Sequence, residues 1–226
     1  MPLDPRLLLL LVPILAGLIG QYRLRATFAR YRQVPASAGL TGGEAADKLL
    51  ELHGLPDVCL ERTTGTLSDH FDSDAQTLRL SDDVADGRSI AALAVAAHEV
   101  AHAHQDAAGH RVYRLRMRLG RPVMQLSQWS GVIFIGGFWF GIPVLMAAAG
   151  LLLVGLAGFT LVTLPVELSA SRLAVGWLSD SGLTTNAETP AVRRVLRAAA
   201  STYLASVGHR LGLLLFLLLA VGVART

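Results

Sequence analysis

The chain has 226 residues, of which 52% are hydrophobic and 16% are charged. A mean hydropathy of +0.47 is rare in a soluble domain and indicates membrane segments, which dilute the charged residues. The net charge of +3 with so much apolar sequence points to a lipid bilayer, and not to a nucleic acid, as the partner of the arginines. The single cysteine, Cys59, excludes an internal disulfide and a cysteine cage for zinc.

The first apolar segment is residues 7–20, LLLLLVPILAGLIG. Four arginines follow it directly: Arg23, Arg25, Arg30 and Arg32. A cleavable signal peptide carries its positive charge before the apolar core and not after it. With its flanking residues the segment is long enough to cross a bilayer. We therefore predict an uncleaved transmembrane helix whose C-terminal end lies in the cytoplasm.

Residues 34–86 form the soluble part of the chain. An amphipathic helix is predicted from about Thr41 to His53, because apolar residues recur at helical spacing after a capping residue. Residues 58–62 have the character of a short strand, and residues 67–80 read as a turn followed by a strand. Ser81 is placed to cap a short helical turn. A free edge on the 76–81 strand would bind an extended peptide as an added strand.

The central stretch is residues 88–105, RSIAALAVAAHEVAHAHQ, which contains the pattern H-E-x-x-H. Ala-rich sequence favours a helix, and on a helix His98 and His102 share one face. Two imidazoles can then bind one zinc ion, with a third ligand from elsewhere and one position left for water. Glu99 is placed to take a proton from that water. So short a motif also matches by chance, but a buried polar cluster needs partners, and a metal supplies them.

Membrane segments are predicted to dominate the C-terminal half. Five arginines between 111 and 121 precede residues 129–166, an apolar block too long for one span. The block predicts two spans with a reversal near residues 141–143, where glycine and proline occur. A helix continues to about Asp180, another begins near Thr189, and residues 198–224 predict a last span. The arginines agree with both termini outside and most of the polar sequence in the cytoplasm.

The fold prediction is a mainly α membrane protein with a small β element. It has about four transmembrane helices plus a cytoplasmic zincin-like metalloprotease domain with a short sheet. The predicted divisions are an N-terminal transmembrane helix (1–27), the zincin-like part with the HEVAH helix (28–122), a transmembrane hairpin (123–166), the third-ligand helix and following helix (167–200), and a C-terminal transmembrane helix (201–226).

The predicted third ligand is Glu167. It follows a long apolar run, where an ionised carboxylate is costly without a partner. The predicted topology also puts it on the cytoplasmic side with His98 and His102. The alternative is an ordinary carboxylate at the membrane edge that pairs with Arg172.

Other polar residues compete for roles at the site. Asp69, His70 and Asp72 are candidates for a ligand or for stabilising the oxyanion, although such a turn-rich stretch more often caps backbone groups. Asp106 lies four residues after His102 and is predicted to orient an imidazole.

The sequence resembles the YugP-like membrane zinc metallopeptidases. The match is carried by residues 37–42, 67–72, 77–81, 89–105 and 160–174. The arrangement is also similar to that of HtpX-type membrane proteases, in which a transmembrane hairpin separates the H-E-x-x-H helix from a glutamate ligand. The resemblance implies one zinc per chain at His98, His102 and Glu167, with Glu99 as the base. It also implies a multi-pass protein of the bacterial inner (plasma) membrane with its active site on the cytoplasmic side.

The expected activity is zinc-dependent hydrolysis of peptide bonds in membrane or membrane-associated proteins. His70, Arg172 and Tyr203 are the candidate donors to the oxyanion. One alternative is a non-catalytic membrane adaptor that keeps the metalloprotease fold; the intact H-E-x-x-H residues argue against it. A metal-handling membrane protein would need His, Asp or Cys inside its spans, and residues 132–164 contain none.

Overall fold

The computed structural model describes the backbone from residue 5 to residue 223, and the side chains at position 11 and from 14 to 215. The helices are α1 (Pro5–Tyr31), α2 (Gly42–Leu52), α3 (Asp82–Ala85), α4 (Ile90–Ala107), α5 (Arg111–Trp139), α6 (Pro143–Asp180) and α7 (Thr189–Val223). The strands are β1 (Cys59–Thr63), β2 (His70–Asp72) and β3 (Thr77–Ser81). The prediction of a mainly helical chain with one short sheet is confirmed.

Helix α2 begins with a capping box. The Thr41 hydroxyl accepts a hydrogen bond from the Glu44 amide at 3.1 Å, and the Glu44 carboxylate accepts one from the Thr41 amide at 2.6 Å. Two of the amides that a helix start leaves unpaired are thereby satisfied. The apolar face is buried and consists of Ala45, Ala46, Leu49 and Leu50. The helix ends at the cap residue His53, as predicted.

The sheet has the strand order β1-β3-β2, with β3 parallel to β1 and antiparallel to β2. Strand β3 therefore lies in the centre and pairs on both sides. The prediction of a free edge on residues 76–81 is wrong, because β3 pairs with β1 on one side and with β2 on the other. The sequence pattern did not reveal strand β2. The outer edges of this sheet belong to β1 and β2.

Close backbone packing fixes the start of α2 against α3. A Cβ at Gly42 would collide with the carbonyl oxygen of Val84, so no larger residue fits there. The Gly42 amide also donates to the Gly87 carbonyl at 2.9 Å. Ser81 occupies the N-cap position of α3, but its hydroxyl donates to Asp69 at 2.9 Å and makes no cap hydrogen bond. Ser81 therefore lies at the predicted start of the helix, but its side chain does not cap the helix.

Helix α4 is the central element of the core. It starts after Ser89, whose hydroxyl accepts from the Ala92 amide at 3.2 Å. Most of its surface is buried, including Ile90, Leu93, Ala94, Ala97 and Val100, each with no exposed area. Small side chains on α4 allow neighbouring elements to approach closely, which places the H-E-x-x-H segment inside the protein.

The chain divides into two compact units. The sheet unit comprises Arg23–Arg114 and Pro165–Ala200, and it contains all three strands and helix α4. The apolar unit comprises the chain up to Tyr22, Leu115–Leu164 and the chain from Ser201. The sheet unit contains most of the parts predicted as 28–122 and 167–200, whereas residues 115–122 belong to the apolar unit.

The reversal predicted near residues 141–143 is present. Helix α5 ends at Trp139, Gly141 has a φ of +61°, and α6 begins at Pro143. Glycine adopts this left-handed conformation without strain. Among the described residues, one helix, Pro143–Asp180, is long and apolar enough to cross a membrane. The other three spans stay a prediction, and the ends of the first and last of them lie outside the described residues.

Candidate metal centre

The three predicted ligand residues come together in the sheet unit. His98 and His102 lie one turn apart on α4, and Glu167 lies on α6. Nε2 of His98 is 3.2 Å from Oε2 of Glu167, and Nε2 of His102 is 3.6 Å from Oε1. One possible ligand atom from each residue lies within 4.8 Å of the others. Exposure is 9% or less for all three residues.

These distances fit a zinc ion. Zinc binds imidazole nitrogen and carboxylate oxygen at about 2.0–2.2 Å, and tetrahedral angles then place neighbouring ligand atoms roughly 3.4 Å apart. The two nitrogen–oxygen distances of 3.2 Å and 3.6 Å bracket that separation. Two imidazoles and one carboxylate leave a fourth position for water, as catalytic zinc sites require.

Gln105 fixes the protonation of His102. Its side-chain nitrogen donates to the Val166 carbonyl at 3.1 Å, which turns its side-chain oxygen towards Nδ1 of His102 at 3.0 Å. Because that oxygen only accepts, Nδ1 carries the proton. In the neutral ring Nε2 then has a lone pair directed at Glu167, which is the form that binds a metal.

The other histidine has a weaker partner of the same kind. The Ser171 hydroxyl lies 3.4 Å from Nδ1 of His98. Ser171 is one turn beyond Glu167 on α6, so the helix that supplies the carboxylate also contacts the back of the first imidazole. Both imidazoles thus present Nε2 to the same carboxylate.

Glu99 is held by the sheet. Its Oε2 accepts a hydrogen bond from the backbone amide of Phe71 in β2 at 3.2 Å. Burial raises the pKa of the Glu99 carboxyl, and the neighbouring imidazoles of His102 and His98 oppose the rise. A carboxylate with a raised pKa is better suited to accept a proton and pass it on.

The predicted accessory residues of the Asp69 to Asp72 stretch are used in structural bonds. Asp69 accepts from the amide of Ser81 at 2.7 Å and from its hydroxyl. Asp72 accepts from Arg79 at 2.6 Å and caps the following turn. Nδ1 of the exposed His70 lies 2.8 Å from the Ser68 carbonyl and donates to it.

Three further residues were predicted to support the site: Asp106, Arg172 and Tyr203. Asp106 accepts from Gln76 at 2.8 Å, and the residue at the back of His102 is Gln105; the prediction that Asp106 orients an imidazole is therefore not met. The Glu167 oxygens face the two imidazoles, whereas the exposed Arg172 lines a cavity between α6 and α7. Tyr203 belongs to the apolar unit.

Sequence reasoning missed Gln105, Ser171 and the Phe71 amide. Gln105 lies three residues after His102 and Asp106 four, so helical spacing alone does not separate them. The useful signal was burial, since a glutamine on a buried face needs partners. No sequence signal identifies a backbone amide as the partner of Glu99.

The site combines an H-E-x-x-H helix with a glutamate from a second helix, and this combination defines the class of zinc metallopeptidases. The model of a family described as "putative neutral zinc metallopeptidase" matches residues 6–222. This chain belongs to that family, which confirms the resemblance. It is 39% identical over 186 residues, 82% of this chain and 83% of the other, to the "putative membrane protease YugP" of Bacillus subtilis strain 168. No solved structure matches the chain.

Proposed function

We propose that the chain is a membrane-embedded zinc-dependent endopeptidase. It hydrolyses peptide bonds of membrane or membrane-associated proteins at the cytoplasmic surface. The observation that carries the proposal is the convergence of two imidazoles and one buried carboxylate beside Glu99. Membership of a zinc metallopeptidase family supports the same activity.

The chemistry follows from the donor set. His98, His102 and Glu167 would hold a zinc ion, which would supply a Lewis acid for the scissile carbonyl and would make a bound water more acidic. Glu99 would take a proton from that water and deliver it to the leaving amine. The Phe71 amide keeps the Glu99 carboxylate oriented while it does so.

The substrate is proposed to bind along β2. The Phe71 amide points away from β3 and towards Glu99, so the outer edge of β2 faces the proposed base. An extended peptide beside that edge would pass the catalytic carboxylate. Because Glu99 already accepts from the Phe71 amide, the peptide would pair with the Phe71 carbonyl, in a partial form of strand addition. This assigns to β2 the role that the sequence suggested for residues 76–81.

The proposed location rests on α6. This helix contains the apolar run that can cross a membrane, and Glu167 lies on it just after that run. The Bacillus subtilis relative is named as a membrane protease. The arginines near the apolar segments favour the cytoplasmic face, because positive residues accumulate on that side. Juxtamembrane segments of other proteins are the substrates such a site would reach.

The test compares wild type with Glu99→Gln and with Glu51→Gln, which alters an exposed carboxylate on α2. Each zinc-loaded protein is incubated in detergent with a peptide library, and products are identified by mass spectrometry. We expect Glu99→Gln to retain zinc and to lose cleavage by roughly 10²–10⁴-fold, the usual contribution of a general base. Glu51→Gln should cleave like wild type. Persistent cleavage in Glu99→Gln would show that Glu99 is not the base.

A further inference from the structure

A second feature of the sheet unit lies outside the metal centre. A cavity of about 360 Å³ is formed between α6 and α7. Its charged lining consists of Arg172, Arg193 and Arg197, and its apolar lining includes Leu168, Val175 and Leu196. Cavities of this size are typical of sites for small ligands.

The charge of the cavity is one-sided. Neither Asp nor Glu lines it, and none of the three arginines forms an ion pair with a described carboxylate. Other arginines of the sheet unit do form ion pairs: Arg62 binds Asp86 and Arg79 binds Asp72. Arginines that converge without a carboxylate present donors suited to phosphate or carboxylate oxygens.

The basic surface extends beyond the first cavity. A neighbouring cavity of about 570 Å³ shares Arg193 and Arg197 and adds Arg194, and its lining also contains neither Asp nor Glu. Arg194 donates to the Tyr31 hydroxyl at 3.1 Å, which holds that side chain in place. Because Arg194 lines the adjoining cavity, an anion in the first cavity also experiences its positive charge.

The residues that line the cavity lie close in sequence to the apolar segments of α6 and α7. Ala200 is the last residue of the sheet unit before α7 enters the apolar unit, and α6 enters the sheet unit at Pro165, close to Leu168. A site with a guanidinium rim and an aliphatic wall at this position matches an amphiphile with an anionic head. Arginine also presents a planar fork that fits phosphate oxygens in pairs.

We propose that this cavity binds the head group of an anionic phospholipid. The phosphodiester contacts Arg172, Arg193 and Arg197, and the first acyl carbons lie along Leu168, Val175 and Leu196. The bound lipid anchors α6 and α7 at the membrane surface. Ser171 lines the same cavity and contacts His98 at 3.4 Å, so the lipid lies close to the metal centre. Lipid binding does not depend on the proposed peptidase activity.

The experiment measures bound lipid on the detergent-purified full chain by native mass spectrometry. The probes are phosphatidylglycerol and phosphatidylcholine with identical acyl chains. The cavity variant is Arg172→Gln/Arg193→Gln/Arg197→Gln. The matched control is Arg111→Gln/Arg114→Gln/Arg118→Gln, which removes the same charge from exposed positions of α5. Zinc content and thermal midpoint in phosphatidylcholine establish that each variant is folded; Arg193→Gln alone replaces the triple variant if that one unfolds.

We expect wild type and the control to prefer phosphatidylglycerol and the cavity variant to bind both lipids equally. An arginine near an anionic surface contributes on the order of fivefold in affinity, so loss of even one contact is measurable. Equal losses in both triple variants would overturn the proposal, because general charge would then explain the preference. The proposal would also be overturned if inorganic phosphate raised the thermal midpoint as much as phosphatidylglycerol does. An Asp-rich peptide serves as a third probe. If the cavity variant kept its preference for phosphatidylglycerol but bound this peptide more weakly than wild type, the cavity would be a peptide site and the lipid proposal would be wrong.

Discussion

The side-chain oxygen of Gln105 accepts a hydrogen bond from Nδ1 of His102 at 3.0 Å. The other end of the same amide donates to the carbonyl that precedes Glu167. One side chain therefore sets the tautomer of a proposed ligand and ties α4 to the helix that carries the carboxylate. Partners of this type are normally worth 10–100-fold in metal affinity.

Gln105→Ala should weaken zinc binding by roughly 10–100-fold, because His102 loses the group that fixes its proton on Nδ1. Gln105→Glu should retain most of the affinity, since a carboxylate still accepts from Nδ1. Competition with a fluorescent zinc chelator measures both. Equal zinc affinity in wild type and Gln105→Ala would contradict this role.

Asp106→Asn is the matched control on the same turn of α4. Asp106 contacts Gln76 and not an imidazole, so its replacement should leave zinc affinity unchanged. If Asp106→Asn weakened zinc binding as much as Gln105→Ala, the assignment made from the sequence would be correct and the one made from the structure would not.

Phe71→Pro removes the amide that orients Glu99, and Phe71→Ala keeps the amide while losing the same buried ring. Proline is tolerated on an edge strand where the lost amide points outwards. We expect kcat to be about tenfold lower in Phe71→Pro than in Phe71→Ala, the size of one hydrogen bond to a charged group, with zinc content equal. Identical kcat values in the two variants would show that the amide has no part in catalysis.

Asp69 offers a test of stability. Burial raises the pKa of its carboxyl, so the native state holds the proton more tightly than the unfolded state. Its contribution to stability therefore falls as pH rises above the ordinary value of 3.8. Asp69→Asn keeps polar contact with Ser81 without burying a charge and should remove that slope. Asp69→Ala should cost about 1–3 kcal/mol, because the Ser81 amide loses its acceptor.

Thermal unfolding in detergent between pH 4 and pH 7 measures both Asp69 variants. A slope in Asp69→Asn equal to that of wild type would mean that another group causes the pH dependence. An Asp69→Ala variant as stable as wild type would mean that water replaces the carboxylate at Ser81.

The elements that the sequence predicted well carry strong local signals. Thr41 and Glu44 form a capping box that can be recognised from residue spacing, and α2 begins there. The grouping of His98, His102 and Glu167 followed from residue type, from helical spacing and from the cost of a carboxylate beside an apolar run. Such signals require no knowledge of which elements are neighbours.

The elements that were missed depend on neighbours distant in sequence. Strand β2 has three residues, too few for a pattern of alternation, and it exists because β3 pairs with it. The same pairing removes the free edge expected on β3. Gln105 and Asp106 are equally polar and adjacent, and only the Val166 carbonyl on α6 determines which of them meets His102.

The central claim is that His98, His102 and Glu167 hold one zinc ion. The most direct test is the zinc content of the detergent-purified chain, measured by inductively coupled plasma mass spectrometry for wild type, Glu167→Gln and Glu51→Gln. Glutamine preserves the size of Glu167 but provides no charged ligand, and Glu51 is an exposed carboxylate of α2. We predict close to one zinc per chain in wild type and in Glu51→Gln, and a marked loss in Glu167→Gln. Full zinc content in Glu167→Gln, or none in wild type after reloading, would contradict the claim.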